Sequence, residues 1–316
     1  MDASDLLRNS LLQLSKSERV RDVIEKAPVS RSVVRRFVAG ATSDEAVSAA
    51  GELDATGRCS TIDYLGEDTL DAEQAKHTKD AYVTILKALR ERGLTEGGRA
   101  EVSLKLSALG QALPGDGDKI ALEYAREICT LAREAGTTVT LDMEDHTTTD
   151  RTLEALRELR QDFPFVGAVV QAYLRRTEAD CRDLATAGSR VRLCKGAYKE
   201  PESVAYQSGA EVDKAYVRCL KVLMHGEGYP MVASHDPRLV EIAGALAAQS
   251  GRAPGSFEYQ MLYGIRPEEQ KRIADRGDTM RVYIPYGEEW YGYLMRRMAE
   301  KPANVAFFLR GLATKG

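Results

Sequence analysis

A chain of 316 residues, 43% hydrophobic and 29% charged with a formal net charge of -4, has room for one α/β barrel or two modest domains and carries no basic footprint for nucleic acid. No apolar stretch approaches the length of a membrane span, which leaves peripheral membrane contact open. Five cysteines (Cys59, Cys129, Cys181, Cys194 and Cys219) follow neither a disulfide framework nor a zinc spacing, and the opening Met1-Asp-Ala-Ser-Asp5 lacks the features of a secretory leader, so a reducing, cytoplasmic setting is expected.

Residues 4–60 read as helices. Leu6, Leu7, Leu11, Leu12 and Leu14 form an apolar band, and a second run follows Pro28 with Val33, Val34 and Phe37 before Gly40. Ser43 precedes a third stretch, up to Gly51, with Asp44 and Glu45 in its first turn. From residue 60 the pattern changes to short strands alternating with helices. The predicted strands are Ser60–Leu65, Glu101–Ser107, Thr138–Leu141, Ala168–Tyr173, Val191–Cys194, Met231–Ala233, Phe257–Gln260 and Arg281–Ile284. Between them, Ile120, Tyr124, Ile128 and Leu131 recur at helical spacing before Gly136. Asp236-Pro-Arg and Arg266-Pro-Glu-Glu open helices with proline in the first turn, where its missing N–H costs nothing. Several strands are short apolar runs, as expected for parallel strands covered by helices. Eight such units in roughly 240 residues match a closed (β/α)8 barrel. A doubly wound sheet is the alternative, but no Gly-x-Gly-x-x-Gly follows any strand.

A barrel builds its site at the C-terminal ends of its strands. Here those ends carry Leu65-Gly-Glu67, Lys105 and Ser107, Asp142-Met-Glu-Asp-His146, Gln171 and Tyr173, Arg192 to Tyr198, Ser234-His235, Gln260-Met-Leu262 and Tyr283. Buried charge is costly unless paired, so this ring calls for a ligand or an internal network. For Lys105 a salt bridge inside the barrel is the competing reading, and for Gln171 a structural hydrogen bond.

After the eighth strand comes Tyr291-Gly-Tyr-Leu-Met-Arg-Arg-Met-Ala-Glu300. On a helix Tyr293, Arg296, Arg297 and Glu300 share one face. Paired arginines are common on solvated faces. With Lys105 and the tyrosines, however, they suit the carboxylate of a small amino or carboxylic acid, which a guanidinium grips with a planar fork. Asp142, Glu144 and His146 hold metal-binding atom types, but no second histidine lies nearby and three cations would oppose the ion. Cys194 reads as a buried small hydrophobe. There is no nucleophile elbow and no phosphate loop. Hydrolytic machinery is missing, so a cofactor is implied, one that composition and spacing do not identify.

These same residues resemble the proline dehydrogenase family of flavin enzymes. The matching segments are Asp63-Tyr-Leu-Gly-Glu67, Val102-Ser-Leu-Lys-Leu-Ser-Ala108, Leu141-Asp-Met-Glu144 and Val169-Val-Gln-Ala-Tyr-Leu-Arg-Arg176. They continue with Arg192-Leu-Cys-Lys-Gly-Ala-Tyr198, Ala233-Ser-His235, Phe257-Glu-Tyr-Gln-Met-Leu262 and Tyr293-Leu-Met-Arg-Arg-Met-Ala-Glu300. The resemblance implies a distorted (β/α)8 barrel over residues 61–316, preceded by a helical segment at 1–60, with FAD held non-covalently over the strand ends. It implies oxidation of L-proline to Δ1-pyrroline-5-carboxylate, with the electrons passed to a membrane quinone. A separate pyrroline-5-carboxylate dehydrogenase would take the next step, and contact with the membrane would be peripheral.

Carried over residue by residue, the resemblance makes Lys105, Arg296 and Arg297 the holders of the substrate carboxylate. Tyr198, Leu262, Tyr283 and Tyr293 surround the ring. Asp142, Met143, Gln171, Arg192, Lys195, Gly196, Ala197, Ser234, His235 and Gln260 line the flavin, with Arg192 close to N5 and Ser234 and His235 toward the pyrophosphate and adenosine. Asp142 and Arg192 are the catalytic pair, Glu300 orients the cluster beside the cofactor, and Glu67 pairs with Arg296 as a gate. The competing readings are a flavin enzyme for another cyclic or N-methylated amino acid, a lyase using Lys105 as a Schiff base, and a non-enzymatic binding module, which would be colourless.

Overall fold

The computed structural model describes residues 34–66, 69 and 71–300, with the side chains of 296–300 outside the description. Eight parallel strands close into a barrel in sequence order: β1 (Cys59–Tyr64), β2 (Ala100–Leu104), β3 (Val139–Leu141), β4 (Gly167–Gln171), β5 (Arg190–Cys194), β6 (Tyr229–Ala233), β7 (Glu258–Leu262) and β8 (Met280–Tyr286). The seam between β8 and β1 runs in register from Cys59 opposite Arg281 to Tyr64 opposite Tyr286. Helices follow each strand: α2 (Ala72–Glu91), α3 (Gly117–Glu134), α4 (Thr149–Asp162), α5 (Thr177–Leu184), α6 (Gly209–His225), α7 (Pro237–Gln249), α8 (Pro267–Asp275) and α9 (Trp290–Glu300), with α1 (Ser43–Asp54) ahead of β1.

All eight expected strands form, and three end earlier than read, β1 by one residue at Tyr64 and two by more. β2 stops at Leu104 and β4 at Gln171, so Lys105, Ser107 and Tyr173 stand in the loops just beyond. The apolar rhythm continues past both ends because Leu106, Leu109 and Leu174 remain buried. Helix starts follow local chemistry. Thr42, one residue ahead of the expected position, caps α1 in a reciprocal box with Glu45, and Asp71 and Asp236 cap α2 and α7. Pro237 and Pro267 sit in the first turns of α7 and α8, as expected. In α3 the buried face is Ala121, Ala125, Ile128, Cys129 and Ala132. Ile120, Tyr124 and Leu131 flank it half-buried, because small residues are what a helix lying flat on a sheet accommodates.

The barrel is distorted at one place. In a regular barrel the helix after the last strand packs on the wall beside strand one. Here α1 packs against β1, β8 and α2 and fills that position. The helix α9 instead buries Tyr291, Tyr293, Leu294 and Met295 with Leu65, Phe37 and Val38 in a separate apolar cluster. Leu65 follows β1, and the segment with Phe37 meets the end of β8 through Ala39 N–H to Pro285 O (3.0 Å) and Gly287 N–H to Gly40 O (2.9 Å). The cluster thus lies at the C-terminal mouth of the barrel. The leucines of residues 6–14 and Val33 lie outside the described residues.

Candidate functional site

Alternate residues of a strand face opposite ways, and closure decides which set is inside. The inward rows are polar. Thr61, Glu101 and Ser103, Asp142, Arg190 and Arg192, Glu258 and Gln260, and Arg281 and Tyr283 meet one another through hydrogen bonds within the barrel, while Asp63 meets Lys105 and Tyr82, and Gln171 meets the Glu144 carbonyl. Such interiors usually hold branched aliphatic side chains in layers.

At the mouth the centre is Arg192, 3 % exposed. Its Nη1 donates to Asp142 Oδ1 at 2.6 Å and Ser103 Oγ at 2.9 Å, and its Nε donates to Gln260 Oε1 at 2.6 Å. The guanidinium carbon lies 5.3 Å from the centre of the Tyr283 ring. Burial works against the charge of Arg192, but Asp142 and Glu101 outweigh it, and its pKa is raised. Asp142 is engaged at both oxygens, since Tyr283 Oη donates to Oδ2 at 2.7 Å. Burial, with Asp142 and Asp63 nearby, holds the Tyr283 phenol protonated far above its ordinary range.

Beside this group Lys105 Nζ pairs with Asp63 Oδ2 at 2.5 Å, with Lys105 8 % and Asp63 0 % exposed. The Tyr82 hydroxyl reaches Asp63 Oδ1 (3.3 Å) and donates to Ser103 O (2.7 Å). The internal salt bridge considered for Lys105 is therefore present, and it fixes where the ammonium stands. The structural reading of Gln171 also holds, because its Nε2 donates to Glu144 O at 2.7 Å, while the Glu144 carboxylate accepts from Ser107 Oγ at 2.5 Å. These bonds tie together the loops after β2, β3 and β4.

Around the rim, Lys195 pairs with Asp213 (2.5 Å) and Asp236 (3.3 Å). Gly196 adopts φ +112, and a Cβ there would strike the Tyr173 ring, so only glycine lets this loop run so close. Tyr173 in turn meets Glu200, which also accepts from His146 N and contacts its Nδ1. Ser234 Oγ accepts from Asp236 N at 3.2 Å. His235 Nε2 accepts from Leu262 N at 2.9 Å, so the neutral ring carries its proton on Nδ1. Leu262 and Tyr198 are half-buried at the mouth, Ala197 is exposed, and Met143 is buried.

The structure thus brings Lys105, Asp142, Arg192, Gln260 and Tyr283 into one network, with Gln171 at its edge. Tyr293 belongs to the apolar cluster under α9. Glu67 and the side chains of Arg296, Arg297 and Glu300 lie outside the described residues. Residues not singled out as site residues are Asp63, Tyr82, Ser103, Glu101, Glu258 and Arg281. The signal available for three of them was alternation: Asp63 follows Thr61 by two, and Glu101, Ser103 and Lys105 are spaced by two.

The mouth suits a flavin, whose ring accepts hydrogen bonds at N5 and at its carbonyls. It offers a buried guanidinium, amides and a glycine-opened backbone in one arc. The family model for proline dehydrogenase matches residues 46–310. The chain is 38% identical over 310 residues to proline dehydrogenase 1 of Bacillus subtilis (strain 168), covering 98% of this chain and 100% of that protein. It is 36% identical over 309 residues to the proline dehydrogenase of Deinococcus radiodurans, covering 97% and 98%. Among solved structures it resembles proline utilization A from Bdellovibrio bacteriovorus inactivated by N-propargylglycine. The TM-score is 0.79 at 27% identity, over 93% of this chain and 36% of that longer one.

Proposed function

The chain belongs to the proline dehydrogenase family, and we propose the following assignment of its chemistry to its residues. It is an FAD-dependent oxidoreductase that converts L-proline to Δ1-pyrroline-5-carboxylate. The observation that carries the assignment is the network joining Lys105, Asp63, Asp142, Arg192 and Tyr283 at the barrel mouth. Bound FAD supplies the two-electron acceptor for the hydride leaving proline C5. Lys105, with Arg296 and Arg297 from α9, holds the substrate carboxylate, and Tyr283, Tyr293, Tyr198 and Leu262 bound the ring. Holding the reacting carbon near contact removes much of the entropic barrier.

Arg192 would stand at the N5 edge of a bound flavin, where its guanidinium would favour the negative charge of the reduced ring. Asp142 keeps that guanidinium in place. The nitrogen of proline also loses a proton. Asp63 and Asp142 are each hydrogen-bonded at both oxygens, so neither serves as the base, and solvent takes the proton. Gln171, Met143, Lys195 to Ala197, Ser234, His235, Gln260 and Glu300 line the cofactor. Residues 61–316 form the flavin-binding unit and 1–60 a helical preface. Glu67 and Arg296 pair as a gate over bound substrate.

Electrons then pass to a quinone. No described helix is long and apolar enough to cross a membrane. In this reading contact with the quinone-bearing surface is peripheral, from the cytoplasmic side. A separate dehydrogenase oxidises the product further. The purified protein should be yellow, release FAD on acid treatment, and bleach with L-proline under anaerobic conditions. A colourless folded protein that takes up no FAD would refute the assignment. Bleaching by another cyclic or N-methylated amino acid in preference to proline would change the substrate alone.

A further inference from the structure

Glu258 lies at the start of β7, fully buried at the floor of the barrel and remote from the mouth. It accepts from Arg281 Nε at 2.8 Å and Nη2 at 3.1 Å, and from Tyr229 Oη at 3.1 Å. Arg281 is fixed in turn by the carbonyls of Ser60 and Gly98, both at 2.9 Å. Gln260 is two residues further along β7 and therefore on the same inward row. Its Nε2 donates to Glu258 Oε1, and its Oε1 accepts from Arg192 Nε at 2.6 Å.

A side-chain amide has a donor end and an acceptor end, whereas an ionised carboxylate only accepts and a guanidinium only donates. Between Glu258 and Arg192, Gln260 has one orientation that satisfies both neighbours. Turned over, it would set its NH2 against the Arg192 N–H and its oxygen against the carboxylate. Glu258 is held ionised for this purpose: burial opposes the charge, but Arg281 outweighs burial and lowers its pKa.

We propose that Glu258 is a positioning residue for the reaction, which sets the orientation of Gln260 and, through it, the place of the Arg192 guanidinium under the cofactor. This rests on the assignment of Arg192 to the flavin given above. A glutamine at 258 keeps the shape but can turn either its oxygen or its NH2 toward Gln260, so the orientation of Gln260 is then dictated from the Arg192 side alone and is held less firmly.

The test is a double-mutant cycle on the holoenzyme with Glu258→Gln and Arg192→Ala. The readouts are the midpoint potential of the bound flavin without substrate, the rate of flavin reduction at saturating proline, and the proline dissociation constant. Glu258→Gln should slow reduction about tenfold and shift the potential in the same direction as Arg192→Ala, with proline binding changed less than about twofold. In the Arg192→Ala background the same substitution should change the rate less than about twofold. An equal loss in both backgrounds, or a lowered melting temperature with rate and potential unchanged, would overturn the proposal. Should Glu258→Gln not fold, Tyr229→Phe removes one hydrogen bond from the same carboxylate and should give a two- to threefold effect in the same cycle. If Arg192→Ala leaves rate and potential unaltered, the flavin assignment of Arg192 fails instead. The Gln260–Arg192 separation in crystals of Glu258→Gln then decides the positioning role alone. A bond retained at 2.6 Å refutes it, and a separation beyond hydrogen-bond reach sustains it.

Discussion

The floor of the barrel holds Glu101, Glu258, Arg190 and Arg281, and the mouth holds Asp63, Asp142, Lys105 and Arg192, two charges of each sign at either end. At the floor Thr138 and Thr140 donate to Glu101, Tyr229 donates to Glu258, and backbone carbonyls accept from Arg281. The protein itself supplies these partners, and within the set Arg190 Nε is buried without one among the described residues. At the mouth the Tyr283 ring and the Lys195–Tyr198 loop are partly open, and the clamp proposed above would add Arg296 and Arg297 and tip the balance toward an anion. The same kind of ion pair therefore serves two ends. Paired charge enclosed by the protein is internal structure, and paired charge at an opening is, on the assignment proposed above, a seat prepared for a substrate. A buried pair can often be exchanged for apolar residues without loss, whereas removing one partner is costly.

Three experiments would sharpen or break this contrast. The largest effect is expected at the mouth. Lys105→Met, Arg296→Ala and Arg297→Ala should each lower kcat/KM for proline about 10²-fold or more, from loss of roughly 3 kcal/mol of charged hydrogen bonding, while FAD stays bound. Arg297→Lys should also be impaired, since a point charge cannot reproduce the fork. Unchanged steady-state efficiency in these variants would remove the clamp from the mouth. Next comes the floor, where the cost should appear as stability. Glu101→Gln should lose about 3 kcal/mol in urea unfolding, because it leaves buried arginines unbalanced.

That experiment has a pH signature. Burial opposes ionisation of Glu101, but Arg190, Arg281 and Arg192 outweigh it and hold the carboxyl down to about 2, against an ordinary 4.5. The unfolded chain therefore takes up the proton first. The contribution is complete above about pH 4.5 and is lost as pH falls toward 2. The stability of the wild type should drop more steeply over that window than that of Glu101→Gln, and parallel curves would count against an ionised floor. The smallest effect is expected on the rim. Gly196→Ala, forced against Tyr173 at a positive φ, should weaken FAD binding to the apoprotein about tenfold, from about 1 kcal/mol of strain. Unaltered titration would detach that loop from the cofactor.

The barrel itself was legible because its signals are local. Short apolar runs, Pro237 and Pro267 in first turns, and Gly136 after α3 each act within a few residues. Most site residues at the strand ends were legible too, once a barrel was assumed. The floor was not. Glu101, Arg190, Glu258 and Arg281 each look like a solvated charge at a strand edge, and only closure of the sheet turns them inward. Asp63 stood within a recognised segment, but its partner Lys105 is 42 residues away, a distance over which no spacing rule operates. The position of α9 at the mouth came from the resemblance, which set Tyr293, Arg296 and Arg297 around the substrate, and not from its periodicity. Helical periodicity reports which face is buried and says nothing about the surface that covers it.

The seam between β1 and β8 bears on how the molecule is made. The Arg281 bond to Ser60 O joins residues 221 apart, so the first strand to leave the ribosome waits for the last before its edge is covered. Until then β1 and β7 expose unpaired backbone, the state most open to aggregation. Such high contact order slows folding and makes the final closure a checkpoint for chain elongation. The two arginines of α9 are translated after β8. A nascent chain long enough to shut the barrel therefore still lacks the arginines proposed to grip the substrate, and one cut before β8 lacks both.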